Sequence, residues 1–275
     1  IPLLIFDYMI CKVRSFYFTL KIDEGGGRIV ITEPFLKFSI KKQKSAYIFI
    51  KGNFRVAPHI HGSAKSVISM GENSKLIING DFGIGQGVRM SLFKNSSLII
   101  GGKYKESGSG ITADTLIMVY KKIEIGKDFL CAWNIFISDS DWHQIQGQDH
   151  QDDVIIGDHV WLANNNNILK GSKIGNNCII ASNSKIGNKS FPDNVLIGGI
   201  PPKILKTNMQ IWIYFVPGAG GDGFANLLEY ADNVETIDSD QDPKRWRVHR
   251  FVDDQPKFYA NPIDNARCFR NNRPF

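Results

Sequence analysis

Ile156, Leu162, Ile168, Ile174, Ile180 and Ile186 recur at a strict interval of six residues. Gly157, Ala163, Gly175, Ala181 and Gly187 directly follow five of them. An α-helix repeats its apolar face at about 3.6 residues and a half-buried strand at two, so neither makes this pattern. A hexad fits a β-helix: each hexad is one short strand and a turn, and three make a triangular coil with the aliphatic pointing inward. Stacked coils bury an aliphatic column that no single coil could bury. The small neighbour lets the backbone bend at the corner. A β-sandwich with frequent Gly-Asn turns is the competing reading. Two-residue alternation does not hold six aliphatics in register with small residues beside five.

The hexad fades in both directions. From Ser45 the chain is a series of short β runs such as AYIFIKG, SKLIING and SSLIIGG. Ile78, Ile84 and Met90 keep the interval, register slips before Ile99, and Ile125, Cys131 and Ile137 restore it. Residues 45–207 are therefore read as the β-helix, irregular up to 137 and regular from Val154. FPDNVLIGGIPPKILK (191–206) closes it, its prolines ending regular pairing. Residues 1–44 are expected to form an N-terminal cap, with strands in FYFTLKI and GRIVIT joined through Gly25-Gly26-Gly27. Residues 208–275 change composition: a strand in MQIWIYFV, a Gly-rich turn PGAGGDGF (217–224) and a helix from Phe224 suggest an incomplete α/β-like segment. That turn suits a phosphate cradle, but it lacks the Lys-Ser/Thr of a Walker loop and fits GxGxxG poorly, which favours a plain flexible turn. The expected fold class is all-β, a parallel β-helix with a short α/β-like C-terminal tail.

With 275 residues the chain can bury a large core. The net charge of +6 favours anionic ligands. No dense Lys/Arg run argues for nucleic acid, so none is expected. Cys11, Cys131, Cys178 and Cys268 are far apart, without CxxC spacing, and read as reduced thiols of a cytoplasmic protein. The N-terminal IPLLIFDYMICKVRSFYFTL is broken by Asp7, Lys12 and Arg14. It is too short and too charged to span a membrane, so membrane contact is at most peripheral. The chain begins at Ile rather than Met, which points to a fragment. His59 and His61 lack acidic or Cys partners at ligand spacing, so no metal is expected.

Residues 138–153, SDSDWHQIQGQDHQDD, are polar, hold two histidines and interrupt the hexads. A loop extruded from a rigid solenoid is where function is placed. DSDWH (139–143), VIIGDHVWLA (154–163), NILKGSKIGNNCIIAS (167–182) and VLIGGIPPKILK (195–206) together resemble the hexapeptide-repeat O-acetyltransferases. These are the left-handed β-helix enzymes related to galactoside, maltose and capsular or O-antigen polysaccharide acetyltransferases. The resemblance covers residues 120–206 well, 45–120 loosely and the tail not at all. It implies left-handed coils, a homotrimer with each site between two prisms, acetyl-CoA as donor and a carbohydrate acceptor.

By the same resemblance His143 is the general base, since a neutral imidazole is matched to removing a hydroxyl proton near pH 7. Asp141 either orients that ring, as the third group of a triad does, or simply shapes the turn. Asn134 either contacts the acceptor hydroxyl or occupies a solenoid corner. Trp161 and the corner Ala163-Asn164 would line the thiol end of the donor, and Ser182 the pantetheine arm. Lys189, Lys203 and Lys206 would face its phosphates. Cys131 as an acyl-accepting nucleophile would need a lowered pKa, which an inward position opposes. Three departures bear on the donor: Ala163 where Gly is usual, NNNN (164–167) at the turn, and IPPK (200–203) at the close. The expected activity is O-acetylation of a surface-polysaccharide sugar or its precursor. The alternatives are N-acylation of an amino-sugar nucleotide and a non-catalytic trimeric scaffold for a fused tail.

Overall fold

Within each short strand the side chains alternate, so the inward positions of Ser97–Gly102 (Leu98, Ile100) are buried while their neighbours face out. The computed structural model describes residues 2–59, 64–103, 108–144, 146–147 and 149–208, and the backbone of 234–238 and 247–251. Its strands form three parallel sheets that the chain visits in rotation. Arg28–Ile31 opens the first face, Phe38–Lys42 the second and Tyr47–Ile50 the third. Asn53–Val56 then returns beside Arg28–Ile31 in parallel register.

Three aliphatic columns fill the prism. One runs Ile84, Ile111, Cys131, Leu162, Ile180, Ile197. The second runs Met90, Ile117, Ile137, Ile168, Ile186. The third runs Ile100, Ile125, Ile156, Ile174, Phe191. The six hexad aliphatics supply two members to each column, and all are buried. Burying each is worth about 1.5–3 kcal/mol. This is the left-handed parallel β-helix, its coils expected from the repeats and its hand from the family resemblance.

The raggedness before residue 137 reflects wider faces. Strands there carry two inward residues, as in Leu98 and Ile100 or Ile117 and Val119, whereas Asn167–Ile168 and Lys185–Ile186 carry one. The corners correct the reading of the small residues. The positive φ falls further along, on Asp114, Asn134, Asn165 and Asn183 at the first-to-second corner and on Asp128, His159, Asn177 and Asn194 at the third-to-first. Asn and Asp tolerate that region best. Gly157 instead permits close stacking, because a Cβ there would stand 2.8 Å from the carbonyl carbon of Gly175 in the next coil.

The N-terminal expectation is overturned in two respects. The first coil begins at Arg28, inside the expected cap. The FYFT part of the expected strand FYFTLKI lies in helix α1, Pro2–Thr19. A strand would have left the end of the first sheet open, whereas the helix covers it. Ser15 Oγ accepts from Ile31 N–H at 2.9 Å and Thr19 Oγ1 from Ile29 N–H at 3.0 Å, closing edge donors that would otherwise invite pairing. The Arg14 guanidinium donates to the carbonyls of Pro34 and Leu36 at 2.6 and 2.5 Å. Phe18 enters the prism and packs edge-on against Phe38, at 4.7 Å between ring centroids.

At the other end Lys203–Thr207 pairs antiparallel with Val195–Gly198, which stops the parallel stacking. Beyond it, 234–238 and 247–251 form an antiparallel hairpin. The expected strand MQIWIYFV, Gly-rich turn (217–224) and helix from Phe224 fall outside the described residues, as do His61 and Cys268. No helix among the described residues is long and apolar enough to cross a membrane.

Candidate active site

The polar stretch leaves the prism at the second-to-third corner, between Phe136–Ser138 and Val154–Ile156. Its base is a small hairpin. Ser140 bridges Gln151 in antiparallel fashion, Asp141 N–H donates to His150 O at 2.9 Å, and Asp152 N–H to Asp139 O at 3.0 Å. Asp139 anchors it from inside. Its carboxylate accepts from the N–H groups of Tyr120 and Lys121, each at 2.7 Å, where the preceding coil turns the same corner. Burial pushes the pKa of Asp139 up, and those backbone donors oppose the shift.

Trp142 has φ 68°, and His143 N–H donates to Asp141 O at 2.8 Å across it. This three-residue turn with positive φ is the rare, strained form. For an aromatic residue it is an outlier, costing about 1–3 kcal/mol, of a kind that clusters at functional sites. Packing holds it. The Trp142 ring meets Tyr120 at 4.9 Å and Phe93 at 5.4 Å, both near-perpendicular, and Tyr120 and Phe93 stack on each other at 4.1 Å. Ser140 Oγ accepts from Trp142 N–H at 3.1 Å. The turn leaves His143 exposed, its ring without a partner among the described residues.

Asp141 does not meet that ring. Its Oδ2 lies 2.7 Å from Lys170 Nζ, and Lys170 also donates to the Asp149 carbonyl, so one nearly buried cation from the following coil clamps both arms of the hairpin. The geometry favours the turn-shaping reading of Asp141 over the ring-orienting one. Lys170 and the Phe93–Tyr120 stack were not singled out in the sequence. Lys170 carries no motif of its own, and its proximity to the loop appears only when the coils stack. Asp141, Lys170, Lys185, Asn188 and Pro201 line a groove of 360 Å³ below the loop.

Asn134 is a corner residue, with φ 57° and Nδ2 donating to Asn165 Oδ1 at 2.7 Å. Ala163, Asn164 and Ser182 share that corner in the next two coils. Ser182 Oγ donates to Asn164 Oδ1 at 2.6 Å. The backbone N–H groups of Asn164 and Ser182 have no acceptor among the described residues, so this corner offers the outward donors a chain of amides would need. Trp161 is 43% exposed on the first face, in register with Leu130 and Ile179. Lys203 and Lys206 are exposed on the closing strand. Lys189 donates to the Pro202 carbonyl at 2.8 Å and lies 5.2 Å from the Phe191 ring centroid.

His143 therefore stands at one vertex of the triangle and Asn134, Ala163, Asn164 and Ser182 at another, with the second face between them. One prism does not bring these groups together. Cys131 is buried and points inward, and burial pushes its thiol up to about 12, so it stays protonated. His159 sits in a corner with Nε2 3.1 Å from Asp128 Oδ2. No three His, Cys, Asp or Glu side chains among the described residues are placed to hold a metal ion.

The family description "Bacterial transferase hexapeptide (six repeats)" matches residues 153–188. This stretch is a hexapeptide-repeat segment. It begins where the His143 loop re-enters the prism and ends at the corner before Lys189. Part of the chain is similar to named relatives. It is 32% identical over 100 residues to the "Putative lipopolysaccharide biosynthesis O-acetyl transferase" of Escherichia coli (strain K12), a match covering 31% of this chain and 50% of that protein. It is 38% identical over 107 residues to the polysialic acid O-acetyltransferase of Neisseria meningitidis, covering 37% of this chain and 47% of that protein. The chain thus spans about half the length of these curated relatives. A solved polysialic acid O-acetyltransferase aligns over 70% of this chain and 96% of its own, with 29% identity and a TM-score of 0.48.

Proposed function

We propose that the protein is an O-acetyltransferase that moves an acetyl group from acetyl-CoA to a sugar hydroxyl of a surface polysaccharide or its precursor. The observation that carries this reading is His143, exposed at the end of a strained, aromatic-braced turn beside a hexapeptide-repeat segment. The names of the relatives support the class of acceptor.

The neutral imidazole of His143 takes the proton of the acceptor hydroxyl as its oxygen attacks the thioester carbonyl. The tetrahedral oxyanion collapses, the C–S bond breaks, and the imidazolium returns its proton to the departing thiolate. Transfer is direct, since the buried Cys131 thiol is a poor acyl acceptor. The donor lies along the corner of Ala163, Asn164 and Ser182, with Trp161 at its thiol end and Lys203 and Lys206 toward its phosphates, while Lys189, on the His143 vertex, reaches them from the neighbouring subunit. The separation of this corner from His143 within one prism is the reason for a homotrimer, in which the base of one subunit faces the donor groove of the next. A cytoplasmic location suits the unpaired thiols of Cys131 and Cys178.

The test is to incubate the protein with acetyl-CoA and a panel of bacterial polysaccharides and measure free thiol and bound acetyl ester. Acceptor-dependent thiol release with a hydroxylamine-labile product is expected. Release only with amino sugars, giving a hydroxylamine-stable amide, would replace O-transfer by N-transfer.

A further inference from the structure

Helix α1 is inside out. The residues it turns to the prism include Arg14, Ser15 and Thr19, all bonded to the first coil, and among its described side chains only Phe18 enters the core. The opposite face carries Ile5, Phe6, Met9, Val13 and Phe16, with Leu20 continuing it in the turn just past the helix, each more than half exposed. Their spacing of three and four places them on one continuous stripe. An amphipathic helix on a soluble domain buries such a stripe, and an exposed patch this size marks an interaction surface. The helix is about 27 Å long. It lies across the open end of the first sheet, so the stripe faces away from the coils.

The surroundings of the stripe are basic. Lys12 lies on the helix, 5.1 Å from the centre of the Tyr8 ring, and Lys21 lies 5.0 Å from that of Tyr17. Arg28, Lys37, Lys41 and Lys44 are exposed on the first coil. Two of the nearby acids are occupied, Asp23 by Lys42 and Glu24 by the Tyr47 hydroxyl, each at 2.5 Å. A groove of 760 Å³ runs between α1 and the first sheet, with Lys12, Arg28 and Arg55 among its lining residues. A second copy of the chain would bring the same positive charge against this one. A bilayer rich in anionic phospholipid offers acyl chains to the stripe and phosphates to the rim.

We propose that α1 is an interfacial membrane-docking helix that lays its apolar stripe into the headgroup boundary of an anionic bilayer, with the basic first coil on the phosphates. The three charges of α1, Asp7, Lys12 and Arg14, suit a helix lying in the interface. The prism then stands on the surface. At about 4.8 Å per coil, the loop of the fifth coil holds His143 roughly 20 Å above it.

The experiment is co-sedimentation of the full chain with phosphatidylcholine vesicles, with and without phosphatidylglycerol, at low and high salt, alongside its solution mass. The expected result is binding to phosphatidylglycerol vesicles that weakens with salt. Phe16→Ser, which removes one exposed aromatic and no bond to the prism, should weaken it roughly tenfold or more, and Lys12→Glu should weaken it only where phosphatidylglycerol is present. Equal binding of Phe16→Ser, or no vesicle binding by the wild type, would overturn the proposal. So would a fall in oligomeric mass for Phe16→Ser without vesicle binding, since the stripe would then be covered by a second copy.

Discussion

Trp142 shows how one residue sets the site. Its positive φ aims His143 outward, and its ring is held by Tyr120 and Phe93. Two substitutions separate those contributions. Trp142→Gly removes the ring but accepts the backbone, whereas Trp142→Ala removes the ring and keeps the strain. Trp142→Ala should lose about 2 kcal/mol in urea unfolding and Trp142→Gly distinctly less, while both lower kcat about tenfold by letting the turn wander. Equal stability of the two variants would count against a strained turn. The loop that carries His143 was legible in the sequence as a polar break in the coils, but it also holds His150, and His143 was singled out only by the family resemblance. The partner of Asp141 was not, because Lys170 meets it only through the stacking of coils.

At the level of elements, the regular coils could be read directly because from Trp161–Leu162 to Lys185–Ile186 each short strand holds one inward aliphatic, keeping the interval of six that starts at Ile156. The earlier faces hold two, so Leu98 and Ile100 hide the same prism behind a longer repeat. Helix α1 escaped because its polarity is reversed: the side chains that pattern reading assigns to the surface bind the sheet edge. The hairpin and the column under it should respond differently to damage. Lys170→Met removes the clamp on both arms of the loop and should lower kcat several-fold, with a change in unfolding free energy of about 1 kcal/mol. Ile168→Ala opens a cavity in the second column and should cost about 2–5 kcal/mol. Thermal and urea unfolding beside kinetics would check both, and a Lys170→Met variant with unaltered kinetics would show that the clamp does not position the loop.

At the scale of the whole molecule, the proposed reaction joins a base at one vertex to a donor bound at another vertex of a neighbouring prism. The overall prism was foreseeable from six aliphatics, but no sequence pattern reveals that the vertices of one chain keep His143 and Asn164 apart. Mixing separately inactive His143→Ala and Trp161→Glu subunits after dissociation should restore part of the activity, because mixed trimers contain some sites with an intact base and an intact groove. The most direct test is acetyl transfer by His143→Ala itself, with coenzyme A binding measured on the same preparation. A loss of about 10²–10⁴-fold in kcat with unchanged coenzyme A affinity is predicted; near-wild-type turnover would contradict the account.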